Sequence, residues 1–123
     1  MSNVMIIEDN LSELSLYQQK LEEAGFTVFT EFDGQKGLEQ VLKEKPHVLL
    51  LDMGLPHMSG LDVMKEIRKN MWGMTVPIIV LTEHDCKEEM LNEILQYKPS
   101  FYVVKSKTSA DEVVEKVKKI LGN

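Results

Sequence analysis

Apolar residues in this chain follow two rhythms that take turns. Val4-Met5-Ile6-Ile7, Val48-Leu49-Leu50-Leu51 and Val76 to Leu81 are short unbroken apolar runs, the pattern of strands buried on both faces of a parallel sheet. Phe26 to Thr30, which alternates large and β-branched residues, and Phe101 to Val104 bring the number of predicted strands to five. Between the strands the spacing changes to three and four. Leu14, Tyr17, Leu21 and Ala24 form one helical stripe, Leu38, Val41 and Leu42 a second, and Leu61, Met64, Ile67 and Met71 a third. Met90, Leu91, Ile94 and Leu95 predict a fourth helix over about Cys86 to Tyr97, and Val113, Val117, Ile120 and Leu121 a fifth.

The ends of these elements are marked as well. Asn10 with Glu13, Ser59 with Asp62 and Ser109 with Glu112 have capping-box spacing, and Asp33 opens the second helix. Gly25, Pro46, Gly73 and Pro99 close helices, while Pro77 falls at the start of a strand, where its missing N–H is tolerated. Strict alternation with short connections implies parallel strands joined by right-handed crossovers. The expected fold is therefore α/β, a (βα)5 doubly wound five-stranded sheet, with the flavodoxin-like strand order 2-1-3-4-5.

That order would gather polar residues from four strand ends, Glu8 and Asp9, Asp52, Thr82 and Lys105, along one edge of the sheet, where open α/β folds bind ligands. Asp52 alone could simply end a strand and start a turn. Its convergence with the others favours chemistry. Two like charges about 4 Å apart repel by roughly 4 kcal/mol at an effective dielectric near 20, so an acidic trio wants a cation. An all-oxygen set suits Mg²⁺, which prefers to bridge protein oxygens to phosphate. Lys105 can offer a point charge and Thr82 a hydrogen bond to phosphoryl oxygens, leaving Asp52 as the candidate nucleophile for an acyl phosphate.

Composition narrows the classes. A chain of 123 residues with 43% hydrophobic and 28% charged residues fits one soluble globular domain, spanning 1–123. No apolar run approaches the roughly 20 residues of a membrane span, and no basic and apolar leader opens the chain, so a cytoplasmic location is expected. Cys86 is the single cysteine and cannot form an internal disulfide. A formal charge of −6 argues against direct nucleic-acid binding. His47, His57, His84 and Cys86 lack paired zinc-ligand spacing. Met64, Met71 and Met90 read as core filling and Trp72 as packing, while Lys116, Lys118 and Lys119 among Glu112 and Glu115 read as a solvated helix face.

Taken together, Glu8-Asp9, Asp52 with Leu55-Pro56 and Gly60, Thr82 after Val80-Leu81, and Lys105 after Tyr102-Val103-Val104 resemble the receiver domain of two-component response regulators, over essentially the whole chain. The resemblance implies that Asp52 accepts phosphate from a histidine kinase or a histidine phosphotransfer protein. Glu8 and Asp9 would hold Mg²⁺ directly or through water, joined by Asp52 and the Gly54 carbonyl. Thr82 and Lys105 would contact phosphoryl oxygens, and Thr82 with Tyr102 would switch the face of the fourth helix, fifth strand and fifth helix toward a downstream protein target. A phosphorylation-dependent homodimer through that face is a family-level expectation, and no direct contact with nucleic acid or membrane is implied. The domain would catalyse its own phosphorylation and dephosphorylation without being an enzyme in the ordinary sense.

Three positions depart from the family pattern. Ser106 stands where a proline in a cis peptide is common, and a cis bond before a non-proline residue costs roughly 3–4 kcal/mol, so a trans Lys105-Ser106 bond and an altered loop are expected. Glu83 stands where a small residue is usual and would oppose anionic donors. His84, with Gly54, occupies a position that influences how long the phosphate lasts, although His84 could equally just flank the fourth helix. Two rivals follow. A haloacid dehalogenase-like phosphatase would carry a second aspartate where Gly54 stands, and a pseudo-receiver would keep the fold without the chemistry. The chain stops after Gly122-Asn123, which leaves open a stand-alone receiver or a segment of a longer regulator.

Overall fold

A computed structural model describes residues 2–122. Its five strands are β1 (Asn3–Ile7), β2 (Thr27–Glu31), β3 (Val48–Asp52), β4 (Ile78–Thr82) and β5 (Phe101–Val104). They alternate with α1 (Leu11–Glu23), α2 (Gly34–Glu44), α3 (Gly60–Lys69), α4 (Glu88–Gln96) and α5 (Ala110–Leu121). All pairings are parallel and the order is β2-β1-β3-β4-β5, as the alternation predicts.

The period-two alternation of side chains sorts the strands between two cores. Val4, Ile6, Val48 and Leu50 face α1 and α5, packing with Leu14, Leu21, Val113 and Val117. Met5, Ile7, Leu49 and Leu51 face the other way, against Leu38, Val41, Met64, Ile67 and Ile94 of α2, α3 and α4. Every residue of β3 and β4 is buried, which is why their sequences are unbroken apolar runs and not alternating ones.

Several boundaries differ from the sequence expectation for physical reasons. β2 begins one residue later, and Phe26 is buried at the turn that precedes it. β4 begins after Pro77, whose carbonyl accepts from Leu49 N–H at 3.0 Å although it has no N–H to give. α3 stops at Lys69, because Asn70 turns extended and its side chain accepts from Trp72 N–H at 3.0 Å. Met71 therefore leaves the helical stripe and is 89% exposed, while Trp72 packs on the second core from a 3₁₀ turn at Trp72–Met74. The assignment of Met71 and Met90 to the core is corrected, since Met90 also lies exposed.

The fourth helix is shorter than predicted. It begins only after Lys87, which supplies no side-chain cap, and of its expected stripe Ile94 alone is buried. Met90 and Leu95 are exposed, so the helix sets only Ile94 fully into the core. No cis peptide bond occurs among the described residues, so Lys105-Ser106 is trans, as expected, and the chain passes into α5 through a 3₁₀ turn at Lys105–Lys107.

One glycine fixes the approach of α3 to the sheet edge. A Cβ on Gly60 would lie 2.1 Å from the Asp52 carbonyl oxygen and 2.7 Å from Met53 Cα, so the helix starts in direct contact with the end of β3. Because the neighbour is backbone and cannot step aside, Gly60→Ala is expected to cost about 1–3 kcal/mol of stability, measured by urea unfolding.

Candidate functional site

The strand register places the polar residues side by side. Asp52 lies opposite Leu81, Thr82 lies opposite Val104, and Lys105 follows immediately. Met53 N–H donates to Leu81 carbonyl at 2.9 Å and Glu8 N–H to Glu31 carbonyl at 3.0 Å, which carries the sheet's hydrogen bonding one step past the strands and fixes both exits. Asp52 and Thr82 are each 4% exposed, Glu8 is fully buried, and Asp9 is exposed. Asp9, Asp52 and Thr82 line a cleft of about 430 Å³ together with Gly54, Glu83 and Lys105 among others, and Glu8 lies buried behind it. The predicted convergence is thus present.

Lys105 is its hub. The ammonium lies 2.6 Å from Glu13 Oε2, 2.8 Å from Glu8 Oε1 and 3.4 Å from both Asp52 Oδ1 and Glu83 Oε2. Burial works against its charge, but the hydrogen bonds it donates to Glu13 and Glu8 and the charge of Asp52 outweigh it and raise the pKa above the ordinary lysine value. Burial pushes Glu8 up to about 7, against the hydrogen bond from Lys105 and with the charge of Asp52 adding to the rise. Asp52 is raised in the same way, by burial first, opposed by Lys105 and reinforced by Asp9. The upward shifts of Glu8 and Asp52 are first the cost of burying carboxylates, and only second of placing them near one another.

Carboxylate oxygens of Glu8, Asp9 and Asp52 all lie within 4.8 Å of one another, an all-oxygen donor set with one exposed member facing the cleft. That chemistry fits a hard divalent cation such as Mg²⁺. Gly54 lines the same cleft, close enough that a Cβ on it would sit 3.9 Å from Asp52 Oδ2.

Thr82 and Tyr102 are both bonded away from Glu8, Asp9 and Asp52. Thr82 Oγ1 donates to the Val103 carbonyl at 3.4 Å. The Tyr102 hydroxyl donates to Asp85 Oδ1 at 2.9 Å and accepts from Cys86 N–H at 2.8 Å, tying β5 to the loop before α4. Glu83 reaches over the cleft with its side chain 62% exposed, and His84 is exposed beside it.

Two features escaped the sequence reading. The sequence pattern points Glu13 only to a capping box. Asn10 does accept from Glu13 N–H at 3.1 Å, but Asn10 N–H donates to Glu8 Oε2 at 3.1 Å, so the reciprocal half of the box is taken by another acid. The Glu13 carboxylate is free to bond Lys105 instead, and the signal was its place in the first turn of a helix that starts at the acidic pair. The second is a clamp on the loop after Asp52. Asp33 caps α2 with one oxygen, accepting from Gln35 and Lys36 N–H at 2.8 and 3.1 Å, and pairs with His57 Nδ1 through the other. His57 holds the Asp33 carboxyl below its usual range, and Gly34 N–H donates to the Pro56 carbonyl at 3.3 Å.

Open α/β sheets bind ligands at the carboxyl ends of their strands, where this one gathers an acidic trio, a hydroxyl and a buried lysine. The chain belongs to the response regulator receiver domain family, whose model matches residues 4–118. It is 33% identical over 107 residues to the response regulator ArlR of Staphylococcus saprophyticus, covering 85% of this chain and 46% of that protein. It is also 33% identical over 92 residues to the alkaline phosphatase synthesis transcriptional regulatory protein PhoP of Bacillus subtilis, covering 75% and 36%. The chain spans about half the length of the curated relatives it matches, or less. In fold it is similar to the chemotaxis response regulator CheY4 of Vibrio cholerae, with a TM-score of 0.88 at 23% identity over 98% of each chain. A CheY-like receiver domain protein from Methanospirillum hungatei gives a TM-score of 0.89 at 24% identity, over 99% of this chain and 94% of that one. Among the described residues no helix is long and apolar enough to cross a membrane.

Proposed function

We propose that this receiver domain takes a phosphoryl group onto Asp52 from a phosphohistidine donor, a histidine kinase or a histidine phosphotransfer protein, and passes the signal to a protein partner. The observation that carries the reading is the Asp52 carboxylate, buried at a strand end, 3.4 Å from the Lys105 ammonium and within 4.8 Å of two further acids. An Asp52 oxygen attacks phosphorus in line, the bond to the donor nitrogen breaks, and an acyl phosphate forms. Lys105 balances the charge that gathers on the equatorial oxygens, and water later cleaves the acyl phosphate at the same site. Mg²⁺, held by Glu8, Asp9, Asp52 and the Gly54 carbonyl, would supply further neutralisation at the phosphoryl oxygens.

Thr82 would act only after rotating. Its hydroxyl bonds the Val103 carbonyl, and turning to a phosphoryl oxygen exchanges that long bond for a charge-assisted one. The movement would vacate space beside Tyr102, whose bonds to Asp85 and Cys86 hold the loop before α4, so the α4-β5-α5 face would change with it. That face is the proposed contact for a downstream target or a second copy. Gly54, Glu83 and His84 are the proposed tuning positions, with Glu83 the best placed because it reaches Lys105. The acidic balance supports action through protein contact without direct binding to nucleic acid.

Incubation with acetyl phosphate, read by intact mass, tests the proposal. A gain of one phosphoryl group is expected in wild type only with Mg²⁺, and none in Asp52→Asn. Failure with acetyl phosphate but binding of fluoroberyllate would assign the failure to the donor. Failure with both would make this a binding module without phosphoryl chemistry.

A further inference from the structure

Lys105 has three N–H donors, and Glu13 and Glu8 hold two of them in hydrogen bonds. Glu13 and Glu8 take the two short bonds, at 2.6 and 2.8 Å, and Asp52 and Glu83 share what is left at 3.4 Å. A phosphoryl group on Asp52 draws the ammonium into the cleft, away from the two acids that hold it by short bonds, so the more yielding of those tethers sets how easily it moves. Glu8 is fully buried, and its second oxygen is fixed by Asn10 N–H. Asp52 carries the phosphoryl group itself. Glu83 sits at long range with its side chain 62% exposed and holds little. Glu13 differs from all three. Its side chain is 28% exposed, among the described residues Lys105 is its hydrogen-bond partner, and it stands on the solvent-facing start of α1, so it can swing into water.

We propose that Glu13 is a positioning residue that competes with the phosphoryl group for Lys105, holding the lysine in the unphosphorylated state and opposing its transfer to the acyl phosphate. The inference rests on Asp52 being the phosphoryl acceptor. It assigns to Glu13 a restraint on how readily the domain is charged, set by contact and separate from the repulsion that Glu83 offers to arriving anions. Because the helix start depends on the Glu13 backbone N–H and not on its carboxylate, the side chain can be exchanged without unmaking the cap.

The test compares wild type, Glu13→Gln, Glu13→Asp and Glu83→Gln in Mg²⁺. The rate of phosphoryl gain from acetyl phosphate is read by intact mass, and fluoroberyllate affinity by fluorine NMR. Glu13→Gln is expected to raise both by roughly threefold to tenfold, the return from releasing one charge-assisted hydrogen bond. Glu13→Asp keeps the charge but is one methylene too short for the contact, so it is expected to behave like Glu13→Gln. A charge effect without contact would leave it like wild type. Tighter binding is a gain that a loosened fold does not produce. The Glu83→Gln gain is expected to vanish at about 1 M salt, where the Debye length falls to about 3 Å, while the Glu13→Gln gain persists. A wild type that takes up phosphate, with both Glu13 variants equal to it or slower, overturns the competition alone. A wild type that takes up neither probe removes the acceptor, and this inference with it.

Discussion

Exchanging Arg68 for methionine is expected to cost the fold about 2–4 kcal/mol while leaving phosphoryl uptake at its wild-type rate. Arg68 lies in the last turn of α3, at the end of the sheet away from Asp52, and its guanidinium is spent on backbone. Nε donates to the Tyr97 carbonyl at 2.9 Å, Nη1 to those of Gly73 and Val76 at 2.8 and 2.7 Å, and Nη2 to that of Lys98 at 3.2 Å. One planar fork thus joins the 3₁₀ turn, the approach to β4 and the turn between α4 and β5. These carbonyls lie in irregular backbone outside the sheet ladders, and losing the donors leaves acceptors short of partners. Methionine keeps most of the apolar stem, so the deficit reads the hydrogen bonds and not the packing. Burial lowers the Arg68 pKa, yet a guanidinium stays charged throughout the working range. Arg68→Lys keeps a charge but not the fork, and is expected to recover less than half of the loss. Urea unfolding should show a lower midpoint at unchanged slope. A loss below about 1 kcal/mol would mean that water replaces the guanidinium.

Arg68 also marks where the sequence stops being legible. The strands and helices follow from apolar runs, helical stripes and caps, because each depends on residues close together in sequence, while the order that gathers Glu8, Asp9, Asp52, Thr82 and Lys105 at one edge is expected as the common arrangement for five alternating strands. Arg68 bonds carbonyls contributed by residues 5 to 30 positions away, and no local pattern announces such a clamp. Met71 and Leu95 kept the helical spacing, but spacing cannot say whether a helix continues or whether a second layer covers it. Glu13 was hidden by a correct explanation, since it does complete a cap, and only the claim of Glu8 on Asn10 N–H shows that its carboxylate is spare. The Tyr102 bond to Asp85 joins two elements whose sequences carry no sign of each other.

With divalent cations removed, the protein is expected to lose stability as pH rises from about 5 to 8, and Mg²⁺ is expected to reverse that trend. The direction follows from Glu8, whose ordinary pKa of 4.5 is pushed up to about 7 by burial. Between those values the folded protein keeps a proton that the unfolded chain has released, so stability falls with pH across the interval. The contribution is whole below 4.5 and gone once the pH has climbed through about 7. A shift of that size is worth about 3 kcal/mol between the limits. Asp52, also raised by burial, adds in the same direction. Asp33 is lowered, but its effect lies below its ordinary value of 3.8 and outside the window, and the raised Lys105 acts only at higher pH. A cation bound by these acids needs them deprotonated and takes the place of the proton, so its stabilisation grows as pH rises. Thermal unfolding followed from pH 5 to 8 should therefore fall in chelator and stay level or climb in millimolar Mg²⁺. Glu8→Gln, neutral at every pH, should flatten the slope seen in chelator. An unchanged slope in Glu8→Gln would move the titration to another group, and a slope of opposite sign in wild type would mean that Lys105 already compensates the buried acids without a metal.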